Sequence, residues 1–358
     1  MTTKLQDSKI LIVGAGLIGT SIALGLKTHG MRVFLDDHDL NALESACAKS
    51  AAEKLSDDIE LDLVVVATPP NVVSDVIRQI AKSHPNAVIT DVASVKGSIF
   101  ADLAGEPVDV LRRIVGGHPM AGREVSGSAG AKANLFVDRP WVITRNSVTD
   151  ESAFELVNDL ALTLGAMPIQ RSSDEHDKAV ALISHTPQVV ASVLASQLIG
   201  APDSHVEMAG QGIRDTIRIA ASDSHLWSEI LTSNAEEVVT RVNAVADGLH
   251  AIALALSLGD VDKVASILAQ GNLGQQRLPG KHGSGVLADA TVLVRLADKP
   301  GELARLFAVA AKAEVNLEDV RIDHSLGRMT GLVELTVAKG SAAALESALE
   351  AEGFSVIA

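Results

Sequence analysis

Two stretches of this sequence combine residue types and spacing that can do chemistry. The first, Ile10-Leu11-Ile12-Val13-Gly14-Ala15-Gly16-Leu17-Ile18-Gly19, sets a GxGxxG pattern directly after a buried-strand pattern and at the head of a helix. Glycines there allow a tight turn, close approach of a pyrophosphate and close helix-to-strand packing, while the helix N-terminus attracts the anion. About twenty residues on, Asp36-Asp37 ends the next strand pattern, where a carboxylate would hold both hydroxyls of an adenine ribose. That pair favours NAD over NADP, because a 2′-phosphate would meet two negative charges. Counting back from the following helix singles out Asp37, with Asp36 as the alternative. The expected cofactor-binding set is Gly14, Gly16, Leu17, Ile18, Gly19, Asp36, Asp37 and Thr68, the last because it follows the strand pattern 64–66 at a carboxyl end. Open α/β sheets keep their ligand crevice at such ends. The competing reading of the glycines is a turn kept for packing alone.

The second stretch, Gly116-Gly117-His118-Pro119-Met120-Ala121-Gly122-Arg123-Glu124, is dense in residues that fix a backbone. A histidine held in a stiff loop at the mouth of a nucleotide crevice suits general-base work, since it is neutral near pH 7 and can take a hydroxyl proton as hydride leaves. Ser94, in Asp91-Val92-Ala93-Ser94-Val95-Lys96-Gly97, lies at another strand end and reads also as the N-cap of a helix starting at Val95. The two roles are compatible, because a capping hydroxyl still has bonding capacity left.

These residues need a frame. Apolar β-branched runs at 10–13, 32–35, 63–67, 87–91, 114–116 and 141–144 alternate with helical patterns, the signature of a doubly wound, mostly parallel α/β sheet. From 173 to about 270 strand patterns vanish, and helical stretches at 174–199 and 224–258 take over, apolar on more than one face. About a hundred residues supply few partners for such faces, so a homodimer through this region is expected. On the first of these helices Asp177, Ala181, Ser184 and Gln188 share a stripe, with His185 on its flank; polar groups there need partners or a ligand. The glycine-rich stretch 271–285 reads as a linker, and a βαββαβ unit follows it. The expected domains are therefore a dinucleotide-binding Rossmann-like domain at 1–172, an all-helical dimerisation and substrate domain with linker at 173–285, and a small α/β unit at 286–358.

Composition narrows the partners. The chain has 358 residues, 47% hydrophobic and 21% charged, and this excludes disorder and fibre. A formal net charge of -15 argues against nucleic acid. No uninterrupted apolar run approaches the ~18 residues of a membrane span, and the N-terminus lacks an apolar signal core, so a cytoplasmic protein acting on a small molecule is expected. The single cysteine, Cys47, can form neither an internal disulfide nor a cysteine-based metal cluster, and no metal is expected.

The motifs GAGLIGTS, DVASVKG and GGHPMAGRE, the SGS and LF between Ser126 and Phe136, Asp177 with SHTP, and RDTIRIAASDSHLW together resemble the prephenate and arogenate dehydrogenase family. This family carries the oxidative step of tyrosine biosynthesis. The resemblance covers nearly the whole chain. It implies NAD-dependent oxidative decarboxylation of prephenate to 4-hydroxyphenylpyruvate, or arogenate oxidation directly to tyrosine. It gives His118 the role of catalytic base on the ring hydroxyl, with Ser94 bonding the same region, and gives Arg218 a substrate carboxylate, which a guanidinium matches bidentately. Arg218 otherwise reads as a surface or dimer salt bridge. Glu124 and Trp227 fall where the family lines or gates its pocket; Trp227 reads equally as core packing four positions after an N-cap at Asp223. His185 and Gln188 complete the implied substrate set. Many prephenate-specific members have SHLPH where this chain has Ser184-His185-Thr186-Pro187-Gln188, so the second histidine has become Gln188, which leaves arogenate open. The final unit, entered through Asp298-Lys299-Pro300-Gly301-Glu302-Leu303, resembles an ACT domain and implies regulation by an amino acid such as tyrosine, or dimerisation alone. A different Rossmann oxidoreductase and a non-catalytic amino-acid-sensing regulator are the competing classes.

Overall fold

The structure, a computed structural model, describes residues 5–55, 59–122, 127–278, 289–324 and 330–357. The chain forms two compact units, residues 1–246 and 247–358.

The first unit opens with β1 (Lys9–Val13), α1 (Leu17–Thr28), β2 (Arg32–Asp36), α2 (Leu40–Ser50) and the short β3 (Glu53–Lys54). It continues through β4 (Leu63–Val66), α3 (Pro70–Ser83), β5 (Val88–Asp91), α4 (Gly97–Leu103), α5 (Val108–Leu111) and β6 (Ile114–Pro119), then β7 (Pro140–Arg145), α6 (Glu151–Thr163) and β8 (Met167–Gln170). The strands form one sheet in the order β3-β2-β1-β4-β5-β6-β7-β8. From β3 to β6 all pairs are parallel, the Rossmann order; β7 then runs antiparallel to β6 and parallel to β8. Period-two alternation splits the core between the two faces. Ile10, Ile12, Val33, Leu35, Leu63 and Val65 face one layer, while Leu11, Phe34, Val64 and Val66 face the other. Both faces are covered, which is why these strands read as continuous apolar runs. Two elements went unread in the sequence. Strand β3 has two exposed residues and β8 carries no fully buried one, so neither leaves a core pattern.

Helices follow: α7 (Ser173–Val180), a π-turn at Ala181–His185, α8 (Thr186–Ser196), α9 (Asp203–Val206), α10 (Gln211–Ile217), a 3-10 turn at Arg218–Ala221, α11 (Ser224–Ser233) and α12 (Ala235–Ser257). Each expected long helix is interrupted, the first by the π-turn and the second at Asn234. Ser172 caps α7 through a reciprocal capping box with Glu175. Ser173–Ser196 and Ala235–Ser257 are long and apolar enough to cross a membrane by length and composition. The expectation that no segment reached this limit counted uninterrupted runs, whereas these helices reach it on average with polar residues interspersed.

The second unit holds the end of α12, then α13 (Val261–Gln275), β9 (Asp289–Ala297), α14 (Glu302–Lys312), β10 (Asp319–His324), β11 (Thr330–Ala338), α15 (Ala342–Ala351) and β12 (Ser355–Ile357). Helix α13 runs through Gly271 and Gly274, five residues into the expected linker, because glycine weakens a helix by only about 1 kcal/mol per residue. The strands make an antiparallel sheet in the order β10-β11-β9-β12, packed on α14 and α15 around Val294, Leu306, Leu335 and Leu345.

Candidate active site

The nucleotide cradle is set by backbone geometry. Gly14 has φ +115°, a left-handed conformation, and a Cβ there would lie 2.4 Å from the Ala67 carbonyl oxygen. A Cβ on Gly19 would lie 2.0 Å from the Gly14 carbonyl oxygen, so α1 can pack onto the turn only through glycine. Around Gly16, by contrast, a Cβ would meet nothing within 4 Å, which is the open side where an anion can approach the first turn of α1 at Leu17 and Ile18. No acidic residue in that turn competes for the site.

The Asp37 carboxylate accepts from the Ala15 N–H at 2.6 Å and the Asp39 N–H at 2.9 Å, so it is held at the lip of the turn. Asp36 is exposed and contributes its carbonyl, which accepts from the Gly14 N–H at 2.8 Å. The geometry therefore separates the two acids: Asp37 is the one whose side chain faces the glycine turn. Beyond β4, the Thr68 hydroxyl is buried without a partner among the described residues. An orphaned hydroxyl, an unfilled space over Gly16 and a fixed carboxylate are what a dinucleotide would satisfy.

His118 lies inside β6, paired opposite Val142 of β7, and not in a loop after the strand as the sequence suggested. Strand pairing, rather than proline and glycine alone, holds its backbone. The ring is half-buried at the carboxyl end of the sheet. Its Nδ1 lies 2.8 Å from Nε2 of His176 on α7, and Nδ1 of His176 lies 2.7 Å from Oδ1 of Asp177. Burial first, then the neighbouring His176, Lys96 and His185, push His118 well below the ordinary histidine value. It is therefore neutral at pH 7 and keeps a lone pair.

Asp177 also fastens the two halves of the site together. Its oxygens accept from the backbone N–H groups of Lys96 at 2.9 Å and Gly97 at 2.7 Å, capping α4 from another helix. Gly97 leaves the room for this, since a Cβ there would stand 2.8 Å from Oδ2. Burial pushes the Asp177 carboxyl up, but hydrogen bonds from His176, Gly97 and Lys96 outweigh it and hold the acid below its usual value. The expected N-cap is thereby corrected: α4 starts at Gly97, not Val95, and Ser94 caps nothing there. Ser94 lies half-buried in the loop between β5 and α4. Lys96 is buried against Asp91 in a close ion pair; burial lowers its ammonium, and Asp91 and Asp177 oppose that.

The π-turn inserts one extra residue into the helix. This rotates His185 from the flank of the expected stripe to a fully buried position, while Ser184 is only half-buried. Asn234, at the break between α11 and α12, donates to the Asp177 carbonyl at 2.9 Å and lies 3.2 Å from His185 Nδ1. Burial pushes His185 down to about 4, with the opposing pull of Asp177 too weak to restore it. Trp227 sets its indole edge-on to the His185 ring, 6.1 Å between centroids, and packs on the core beneath α3. Gln188 is buried and donates to the Ile219 carbonyl at 3.0 Å, tying α8 to the 3-10 turn that carries Arg218. Arg218 itself is exposed on that turn. Glu124 lies outside the described residues. Lys96, Asp91, His176 and Asn234 were not singled out from the sequence. A histidine next to the Asp177 already noted, and a lysine between apolar neighbours, were the signals present.

Residues 22–170 match the family model "Prephenate dehydrogenase, nucleotide-binding domain", and residues 172–270 match "Prephenate dehydrogenase, dimerization domain". A probable prephenate dehydrogenase, NovF of Streptomyces niveus, is 33% identical over 325 residues, covering 87% of this chain and 89% of that protein. The chain belongs to the prephenate dehydrogenase family. Among solved structures, prephenate dehydrogenase from A. aeolicus in complex with hydroxyphenyl propionate and NAD+ is similar at TM-score 0.70 and 26% identity, covering 76% of this chain and 99% of that one. Synechocystis arogenate dehydrogenase is similar at TM-score 0.63 and 27% identity, over 75% and 98%. Between the two prephenate dehydrogenase models falls only Arg171, just before the Ser172 cap of α7, so His118 lies in the first matched segment and His176, Asp177 and His185 in the second.

Proposed function

We propose that this chain is an NAD-dependent dehydrogenase that converts prephenate to 4-hydroxyphenylpyruvate, with Gly14, Gly16, Leu17, Ile18, Gly19, Asp37 and Thr68 holding the dinucleotide and His118 acting as base. The observation that carries the reading is the neutral, strand-held His118 at the same sheet end as the glycine cradle. Bound NAD supplies the hydride acceptor. The Asp37 carboxylate favours the ribose diol over a 2′-phosphate.

His118 takes the proton of the ring hydroxyl as hydride leaves the same carbon, turning the carbinol into a ketone. The ring carboxylate then departs as CO2, its electron pair enters the ring, and the ketone oxygen becomes a phenolate. His118 can return its proton there, so prephenate and NAD+ give 4-hydroxyphenylpyruvate, CO2 and NADH with no net proton change. Aromatisation drives the step, so the protein's contribution is orientation: Arg218 on a carboxylate, with Ser94 and His118 on the hydroxyl. Trp227 and His185 wall the site, and Glu124 belongs to the same pocket in this reading.

Arogenate is the second reading, favoured by one observation. The Gln188 amide N–H2 is engaged by Ile219, which leaves its oxygen to accept from an ammonium where a second histidine would stand in prephenate-specific relatives.

The working form in this reading is a cytoplasmic homodimer. The match of 172–270 to a dimerisation domain supports it, as does the apolar surface left exposed at Leu182, Ile183, Val193, Ile199 and Val239. The βαββαβ unit reads as ACT-like, with tyrosine as effector. A cavity of about 330 Å³ between the 297–303 turn, Ile322 and Val333 is the space such a ligand would enter. One assay tests the whole reading: NADH absorbance with prephenate, then arogenate, each with and without tyrosine. Growth with prephenate is expected, and silence with both substrates would overturn the reading. The variant Gln188→His is expected to shift preference toward prephenate.

A further inference from the structure

We infer that His176 and Asp177 act as positioning residues that fix the tautomer of His118, leaving its Nε2 bare to accept the substrate proton. The inference rests on His118 being the base. It follows from the direction each group can bond. An ionised carboxylate only accepts, so at 2.7 Å from Asp177 the His176 Nδ1 must carry the proton. With His176 in its neutral form that is its one N–H, and its Nε2 is then an acceptor. Its partner at 2.8 Å, His118 Nδ1, must therefore donate. With that proton on Nδ1, a neutral His118 has its lone pair on Nε2. The opposite tautomer would set two lone pairs against each other at 2.8 Å.

The chain of three is anchored at its far end. Asp177 cannot turn away, because both oxygens are also held by the N–H groups of Lys96 and Gly97. The rings of His118 and His176 meet edge-on, 5.0 Å between centroids and 74° between planes, so the contact is a ring-nitrogen hydrogen bond and not a stack. Lys96 and His185 are the other titratable groups that act on His118. Neither makes a hydrogen bond to it among the described residues, so the tautomer is left to His176.

The test uses the full-length enzyme with ring-15N histidine, read by long-range proton–nitrogen correlation at pH 8, with His118→Gln to assign the signal. The expected result is a protonated Nδ1 and a bare Nε2 in the unmutated protein. A proton on Nε2 there overturns the inference with no variant needed. In His176→Met, which removes the acceptor, His118 should populate both tautomers and kcat should fall about 10²-fold, with the NAD KM unchanged. In His176→Gln, an amide oxygen near the lost Nε2 should restore most of the turnover. A single tautomer and unchanged kcat in His176→Met would also overturn it. Failure of the underlying reading looks different: His118→Gln would retain full activity whatever the tautomer.

Discussion

The sheet region and the helical region of this protein solve burial differently. Between β1 and β8 every central strand is covered on both faces by the chain's own helices, and Ile10, Leu11, Phe34, Val64 and Val65 are wholly buried. From α8 onward large apolar side chains stand in the open, with Ile199 at 88% exposure and Val193 at 59%. Yet the helical region also buries polar groups: His176, Asp177, His185, Gln188 and Asn234 are all under cover. One region is complete within the chain and offers a ligand its backbone. The other sends side chains inward to His118 and leaves an apolar outer surface.

That contrast can be broken at four points. The largest effect is expected where the two regions meet. His118→Asn should lower kcat by about 10²–10⁴-fold, the range of general-base help, while NAD binding measured by calorimetry stays near its unmutated value. Loss of NAD binding in step with kcat would mean that the ring supports the sheet rather than the reaction.

On the outer surface, the substitution Val193→Glu should weaken the proposed dimer on the order of 10²-fold, since a buried valine contributes about 1.5 kcal/mol or more and a two-fold interface counts it twice. Sedimentation at decreasing concentration reads this directly. An unmoved dimer would place the interface elsewhere and weaken the contrast.

A third point is acid stability. His185 is held down to about 4 in the folded state, against about 6.5 when unfolded, so between those values the unfolded chain binds the extra proton. Its contribution is present above pH 6.5 and is lost as pH falls toward 4, up to about 3 kcal/mol. Asp177, also lowered, acts in the same direction at still lower pH. Urea unfolding at pH 7 and pH 4.5 should show the loss, and His185→Asn should flatten the part above pH 4. The same sign governs the proposed catalysis: if His118 is the base it must be unprotonated, and since it is pushed below 6.5, turnover should stay level through neutrality and drop only in acid.

The smallest effect belongs to the self-contained cradle. Asp37→Asn should raise the NAD KM about tenfold, the scale of one hydrogen bond to a charged group, and narrow the preference over NADP. Asp36→Asn should do little, because that side chain points to solvent. Reversed effects would exchange the two roles.

Much of this was legible before the fold. GxGxxG after a buried strand, an acidic pair at the next strand end and His118 between Gly117 and Pro119 are local patterns whose meaning depends on a few neighbours. The break at Asn234 and the π-turn at Ala181–His185 were not legible, since helical periodicity carries no mark of a single inserted residue. Nor was the Asp177 cap on α4. It joins residues eighty apart, and Ser94 offered a nearer answer.

The sequence by itself determined the alternating frame, the phosphate cradle and the preference for a dinucleotide, because these rest on contacts within one turn, one strand or one βαβ unit. Only the tertiary structure decided which acid faces the cradle and which histidine stands beside His118. Those outcomes depend on hydrogen-bond directions between distant segments.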